Sequence, residues 1–202
     1  MEKFLEETNI IDYSNQEIQK LAKGLSSGCK IDIEIVKKCF EFVRDEIRHS
    51  GDSKDNIVTL KASDVLKYKT GWCYVKSHLL AALLRANNIP CGLAYQRLTI
   101  SDDGSGDKFC IHGLNSVYLK DFGCYRIDAR GNKDGVNAKF DPPHEKLAFP
   151  IRFKGEKDLP KVYAKPLDIV IDSFKKHNNY IDMSNNLPDI KIDVIDNKIE
   201  QE

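Results

Sequence analysis

The sequence predicts an α+β fold in which helices come first along the chain and an antiparallel sheet follows. Apolar residues recur at three- and four-residue steps over about 33–48, the pattern of a helix with one buried face. A second, mostly apolar helix follows Cys73 and ends before Pro90, because the residue before a proline avoids helical geometry. Short β-prone segments between 92 and 128 are separated by turns, so they should pair antiparallel.

Composition indicates one globular domain. The 202 residues suffice for a single core, and the 41% apolar and 31% charged residues are typical of an ordered chain. Thirty-one basic and 31 acidic residues give zero formal charge, without the basic excess of a nucleic-acid binder. We expect one domain over residues 1–186 and a poorly ordered acidic tail over 187–202.

The first segments of the chain are predicted to be helical. Ser14 and Glu17 suit a capping box for a helix over roughly 15–25, and Asp32 can cap the next helix. A shorter helix is expected over 62–68. The N-terminus has no apolar segment typical of a signal peptide, and no apolar run is long enough to span a membrane. We therefore expect a cytoplasmic protein without a membrane partner.

The stretch from Thr70 to Arg85 is the most informative part of the sequence. Gly71 interrupts the chain, and Cys73 then opens an apolar helix. Unpaired backbone N–H groups and the helix dipole at that end would stabilise a thiolate and lower the pKa of Cys73. The same pattern also fits a core cysteine, so the helix alone does not assign a nucleophile.

The other cysteines are interpreted as core residues. The chain contains no Cys-x-x-Cys pair, and the surroundings of its cysteines are mostly apolar. Five of the six are therefore predicted to be small buried residues in a reducing compartment: Cys29, Cys39, Cys91, Cys110 and Cys124. No two cysteines or histidines have the spacing of a zinc finger or ribbon, so no metal is expected.

After the central helix, strands are predicted over 92–98, 109–119 and 124–128. Several prolines and little periodicity over 135–166 indicate extended segments that wrap the sheet. A last helix is expected over 167–176.

Two polar residues on these strands make Cys73 a candidate nucleophile. His112 lies on the second strand and Asp128 ends the third. An imidazole can take the proton of a thiol, and a carboxylate can orient the imidazole and stabilise its charge. The two residues are not directly opposed across the turn, so we expect the pairing to slip or bulge. His78 is the rival histidine, but it lies on the helix of Cys73 and points elsewhere.

Three motifs in order resemble the bacterial transglutaminase-like family over roughly residues 35–130. Thr70-Gly71-Trp72-Cys73, Ser77 and Leu79-Leu80-Ala81-Ala82-Leu83-Leu84-Arg85-Ala86-Asn87-Asn88-Ile89-Pro90 resemble its nucleophile segment. His112 with Val117-Tyr118-Leu119 resembles its histidine strand, and Tyr125-Arg126-Ile127-Asp128 its aspartate strand. Asn88 replaces a usual glycine, and an aromatic residue often found after the histidine is absent.

The resemblance implies a papain-like α+β fold and acyl transfer through a thioester. Cys73 would attack an amide carbonyl of a peptide or protein substrate, and His112 would protonate the departing amine. Water would then give hydrolysis, and a second amine transamidation, with no cofactor. The oxyanion would be held by the Cys73 N–H and a second donor, for which His49, Gln96 and Trp72 are the candidates. A catalytically inactive binding module with the same fold is the alternative.

Overall fold

The computed structural model describes residues 1–101 and 103–191. The helices of this part are α1 (Gln16–Ser26), α2 (Asp32–Glu46), α3 (Ser50–Ser53), α4 (Ala62–Tyr68), α5 (Cys73–Ala86), α6 (Asp168–Lys176) and α7 (Tyr180–Asn185). The strands are β1 (Arg48–His49), β2 (Thr70–Gly71), β3 (Cys91–Thr99), β4 (Phe109–Leu119), β5 (Gly123–Ile127), β6 (Lys139–Asp141), β7 (His144–Lys146) and β8 (Lys157–Asp158). The predicted order of helices and strands is therefore confirmed.

Helix α5 lies at the centre of the core. All its residues from Cys73 to Arg85 are buried. The helix packs on β3 and β4 on one side and on α1, α2 and α4 on the others. A helix that is apolar on most of its circumference needs such a covering on every side. The fold is thus a helical layer on an antiparallel sheet, as predicted.

The main sheet has the strand order β5-β4-β3-β8 and is antiparallel throughout. Strand β3 pairs with β4 along its whole length. Strand β5 pairs only with the end of β4, from Asn115 opposite Ile127 to Leu119 opposite Gly123. This ladder is regular, so the expected slip or bulge is wrong. Continuing its register places Asp128 two positions along from His112 on the same face, within diagonal reach.

The predicted caps of the first two helices are wrong. Asn15, not Ser14, caps α1, because its side chain accepts hydrogen bonds from the amides of Glu17 and Ile18. No side chain caps the start of α2 at Asp32. The buried ammonium of Lys76, on α5, instead donates to the carbonyls of Arg44 and Ile47 at the other end of α2. Lys76 and Arg44 are 32 positions apart in the sequence, so no local sequence pattern predicts this contact.

The polar connection after α2 contains short regular elements. Strand β1 pairs in parallel with β2, which places His49 opposite Gly71, two residues before Cys73. Within the region predicted to be extended, β6 and β7 form a hairpin and β8 joins the sheet edge. Helix α7 is an element that the sequence pattern did not indicate.

Three cysteines and the last described residues differ from their predicted environments. Cys29 and Cys110 are only half-buried, so the expectation that they are buried core residues is wrong. It is also wrong for Cys124, because Cys124 is exposed. Cys124 lies on β5, an edge strand of the sheet, and only alternate residues of that strand point inward. Of the predicted tail, residues 187–191 pack on the domain, and Pro188 accepts a hydrogen bond from the amide of Ile111. Residues 192–202 lie outside the described part.

Candidate active site

Cys73 is the first residue of α5, and its sulfur lies against β4. The amide of Gly113 is 3.5 Å from the Cys73 sulfur, and the side chain is 7% exposed. Cys73 lines a cleft of about 560 Å³ together with His112 and Phe149. Ser77 lies one turn further along the helix, and its hydroxyl donates to the Cys73 carbonyl. The cysteine is therefore fixed by its helix and partly open to a cleft.

His112 and Asp128 form a buried pair beside this cysteine. His112 Nε2 is 2.7 Å from Asp128 Oδ2, and both side chains are almost fully buried. Asp128 also accepts hydrogen bonds from the amides of Arg130, at 3.1 Å, and Ala148, at 3.0 Å. Because Nε2 faces the carboxylate, Nδ1 is the nitrogen of His112 left for the thiol.

The pair favours a charged imidazole. Burial by itself lowers the pKa of His112, but the charges of Asp128 and Cys73 outweigh it and raise this pKa to about 10. Burial likewise tends to raise the pKa of Asp128. This pKa is nevertheless below its ordinary value, because Asp128 faces the positive charge of His112 and accepts hydrogen bonds from His112, Ala148 and Arg130. The geometry therefore supports an imidazolium between two groups that can carry negative charge.

Two of the three residues predicted for the oxyanion region line this cleft. His49 and Trp72 both contribute to its wall, and their rings meet edge to face with centroids 5.6 Å apart. Gln96 is directly opposite His112 in the sheet, but its amide donates to Asp158 and its side chain is not part of the wall. The structure thus brings His49 and Trp72 to Cys73 and leaves Gln96 outside.

The side chain of His49, 9% exposed, lies beside an ion pair that sequence reasoning missed. Its Nδ1 lies 3.6 Å from an oxygen of Asp52, which Arg130 holds with two hydrogen bonds of 2.6 and 2.8 Å. Burial is the main cause that lowers the pKa of His49 well below its ordinary value, with the charge of Arg130 adding to it. His49 is therefore neutral near pH 7. Arg130 links the His49 side of the cleft to the Asp128 side, because its own amide donates to Asp128.

Gly113 allows the close approach of α5 to β4. A Cβ atom at this position would lie 2.8 Å from Tyr74 Cα and 3.1 Å from Tyr74 N, both backbone atoms of the first turn of α5. A glycine inside a strand often marks such an approach, so this signal was present in the sequence beside His112. The distance between the cysteine and the histidine depends on it.

Replacing Gly113 with alanine should therefore impair activity and stability together. The added methyl group must push the start of α5 away, which we expect to cost about 1–3 kcal/mol of unfolding free energy. A displacement near 1 Å between Cys73 and His112 would lower turnover by about 100-fold. Chemical denaturation and steady-state kinetics measure the two effects.

Gly24→Ala is the matched control for this variant. A Cβ at Gly24, inside α1, meets no atom within 4 Å. Alanine should stabilise that helix by about 0.5–1 kcal/mol and leave turnover unchanged. Equal behaviour of the two variants would contradict the packing role of Gly113.

The rival histidine, His78, has a structural environment. It is fully buried on α5, and its Nδ1 lies 3.0 Å from the carbonyl oxygen of Leu60. Burial lowers its pKa from 6.5 to about 4, so the ring is neutral near pH 7. His78 is not part of the cleft wall, in agreement with the prediction that it points elsewhere.

His78 should make the fold sensitive to acid. Its folded pKa lies below the unfolded value, so its contribution is complete above about pH 6.5 and is lost as the pH falls through about 4. At about 1.4 kcal/mol per pKa unit, the fall from 6.5 to about 4 corresponds to a loss of about 3.5 kcal/mol. In His78→Gln the unfolding free energy should fall less steeply between pH 6.5 and 4, as measured by urea denaturation. Parallel curves for the two proteins would exclude this role.

A helix carrying a cysteine at its first residue, packed on an antiparallel sheet that carries a histidine and an acid, is the arrangement of papain-like folds. The model of the transglutaminase-like superfamily matches residues 19–129, which is more than half of the chain. The chain therefore belongs to the transglutaminase-like superfamily. The predicted family resemblance is confirmed.

Solved structures with a similar arrangement are larger than this chain. A candidate cysteine protease from Cytophaga hutchinsonii is 20% identical, with a TM-score of 0.49, over 63% of this chain and 40% of its own. The periplasmic domain of TgpA from Pseudomonas aeruginosa is 18% identical, with a TM-score of 0.46, over 62% and 45%. The chain thus spans less than half the length of either. No curated protein matches the sequence.

Residues 1–101 and 103–191 contain neither a candidate metal cluster nor a membrane-spanning helix. No group of three or more His, Cys, Asp or Glu side chains in this part is placed to hold a metal ion. None of its helices combines the length and apolarity that crossing a membrane requires.

Proposed function

We propose that this protein catalyses cysteine-dependent acyl transfer on the amide carbonyl of a peptide or protein, through a thioester. The observation that carries the proposal is the buried His112–Asp128 pair beside the Cys73 sulfur at the start of α5. Each of the three residues suits one role in this chemistry: the thiol attacks, the imidazole carries its proton, and the carboxylate orients the imidazole.

In the first half of the reaction, the proton of Cys73 already lies on His112 Nδ1 in a thiolate–imidazolium pair, and the thiolate sulfur adds to the carbonyl carbon. The resulting oxyanion collapses, the carbon–nitrogen bond breaks, and His112 returns the proton to the departing amine. The acyl group remains on Cys73 as a thioester. The raised pKa of His112 supports these steps, because it keeps the imidazole protonated until the leaving group needs the proton.

In the second half, His112 takes a proton from water or from a second amine, which attacks the thioester carbonyl. Water gives a carboxylic acid and thus hydrolysis, and an amine gives a new amide and thus transamidation. Cys73 regains its proton from His112 in either case. The choice between the two depends on which nucleophile enters the cleft.

The oxyanion would be held by the Cys73 amide and by His49. The first amides of a helix have no acceptor within the helix, so the amide of Cys73 can donate to an oxygen near its own sulfur. His49 lies in the wall of the same cleft, and a neutral imidazole can donate one hydrogen bond without repelling the imidazolium of His112. Because Gln96 lies outside this wall, we favour His49 over Gln96 as the second donor.

The test is a screen of the purified protein against peptide, isopeptide and glutamine-amide substrates, with and without an added amine. Turnover that requires Cys73 would support the proposal, and incorporation of the amine would identify transamidation. A non-catalytic binding module would show no Cys73-dependent turnover, and iodoacetamide would label its Cys73 at pH 6 no faster than an ordinary thiol. The cytoplasmic location stays a prediction.

A further inference from the structure

The edge of β4 next to Cys73 has backbone groups that no strand of the sheet covers. In the β3–β4 pair, the amides and carbonyls of Ile111 and Gly113 point away from β3, toward the side of β5. Strand β5, however, begins its pairing only at Asn115. The Gly113 amide points at the Cys73 sulfur instead, and the Ile111 carbonyl accepts the hydroxyl of Tyr74.

The C-terminal arm, residues 180–191, fills the remaining position on this edge. The carbonyl of Pro188 accepts the Ile111 amide at 2.8 Å. Ile111 and Gly113 are two residues apart, so this hydrogen bond lies about 7 Å along the strand from the amide that faces the sulfur. Leu187 lines the cleft that contains Cys73 and His112. Earlier in the arm, Tyr180 stacks on Trp72 with ring centroids 6.1 Å apart.

A fixed guanidinium holds the acidic residue of the arm. Both carboxylate oxygens of Asp189 lie 2.7 Å from Arg97, at Nε and Nη2. Arg97 is itself held by the carbonyl of Gly155 at 2.9 Å, and its guanidinium carbon lies 3.8 Å from the ring centre of Phe109. It is 8% exposed. An arginine fixed in this way is prepared for bidentate binding of a carboxylate.

We infer that the β4 edge and Arg97 form a binding site for an extended peptide with an acidic side chain, and that the C-terminal arm occupies this site in cis. The backbone of the ligand pairs with Ile111, and its carboxylate binds Arg97. A neighbouring apolar side chain enters the cleft at the position of Leu187. This inference rests on the proposed function, because it assigns the class of peptide that is presented to Cys73.

The arm has the features of an occupant that a substrate can displace. It makes one backbone hydrogen bond to β4, at Pro188. A proline has no amide hydrogen, so this residue cannot donate a second ladder hydrogen bond. A peptide with an ordinary residue at this position has an amide that can share the Ile111 carbonyl with the Tyr74 hydroxyl, because a carbonyl oxygen has two lone pairs. The acidic side chain that binds Arg97 is common to the arm and the ligand, so the two compete directly.

The inference can be tested on the full chain carrying Cys73→Ala, which binds without turnover. The probe is a fluorescent peptide with the sequence of residues 186–191, Asn-Leu-Pro-Asp-Ile-Lys, and binding is measured by anisotropy. Adding Asp189→Asn weakens the hold of the arm, so the affinity for the probe should rise at least tenfold. Asp121→Asn in the exposed turn between β4 and β5 makes the same charge change as a control and should leave the affinity unchanged.

A second probe tests the carboxylate of the peptide itself. The same peptide with asparagine in place of aspartate should bind the Asp189→Asn protein at least tenfold more weakly, because it lacks the carboxylate for Arg97. Equal affinities for the two peptides, or equal effects of Asp189→Asn and Asp121→Asn, would overturn the inference. Binding to a protein whose wild-type form turns over no amide would refute the proposed function alone. Cys73-dependent turnover without discrimination between the peptides would refute this inference alone.

Discussion

Replacing Cys73 with alanine is expected to abolish turnover of any amide substrate found in the screen, with a loss of at least about 10⁴-fold in kcat/KM. The loss follows because the sulfur that forms the thioester is gone, whereas His112, Asp128 and the cleft remain. The side chain is small, lies at the start of α5 and is partly open to the cleft, so alanine should fit there. Kinetics, circular dichroism and thermal unfolding of the purified variant measure activity and fold.

Cys124→Ala is the matched control for this prediction. Cys124 is also a free cysteine, but it is exposed on β5 and takes no part in the cleft. Its replacement should leave kcat/KM within twofold of the wild-type value. If Cys73→Ala kept the wild-type rate, Cys73 would not be the nucleophile.

Replacing Asp128 with asparagine is expected to lower kcat/KM by about 10³- to 10⁴-fold. Asparagine has the same shape, but it carries no charge to stabilise the imidazolium and offers one acceptor oxygen where Asp128 uses two. With that charge removed, burial dominates and the pKa of His112 falls from about 10. The alkaline limb of the rate–pH profile should therefore move to lower pH, which a wild-type and variant comparison measures.

The stability of this variant should depend on pH in a defined direction. The folded pKa of His112 is raised above 6.5, so its contribution is complete below about pH 6.5 and is lost as the pH rises through about 10. The pKa of Asp128 is lowered, so its contribution is complete above about pH 3.8 and is lost below it. The unfolding free energy of the variant should therefore differ most from that of the wild type where both contributions are complete, between about pH 3.8 and 6.5. At pH 6 we expect a difference of about 3 kcal/mol.

Chemical denaturation at pH 6, 8 and 10 measures this difference, which should shrink toward pH 10. A difference that is constant over this range would show that the pair is not ionised as described. Equal catalytic rates for the variant and the wild type would remove Asp128 from the catalytic residues.

Several elements could be predicted from the sequence because their signals are local. The bounds of α4 and β4 agree with the predicted 62–68 and 109–119. In each, a run of suitable residues lies between turn or polar segments, and no distant contact competes with it. The caps were less predictable: Ser14, Asn15 and Asp32 all have capping side chains, and only the path of the backbone decides which of them caps a helix.

The candidate site was predictable in its residue types and less so in its geometry. Chain order and residue chemistry indicated Cys73, His112 and Asp128. The diagonal approach of the last two follows from a regular register that the turn alone did not define. The clamp of Arg130 on Asp52 and the contact of Asp189 with Arg97 join residues 78 and 92 positions apart, so no window of sequence contains them.

The sequence by itself therefore determined the α+β order of elements, the buried central helix that Cys73 opens and the family to which the chain belongs. These depend on periodicity, turn residues and short motifs, which are properties of neighbouring residues. Only the tertiary structure decided that Gly113 lets α5 approach β4, that His49 and not Gln96 faces the cleft, and that the C-terminal arm covers the edge beside Cys73. Those features depend on which distant surfaces pack together, and packing is a property of the whole chain.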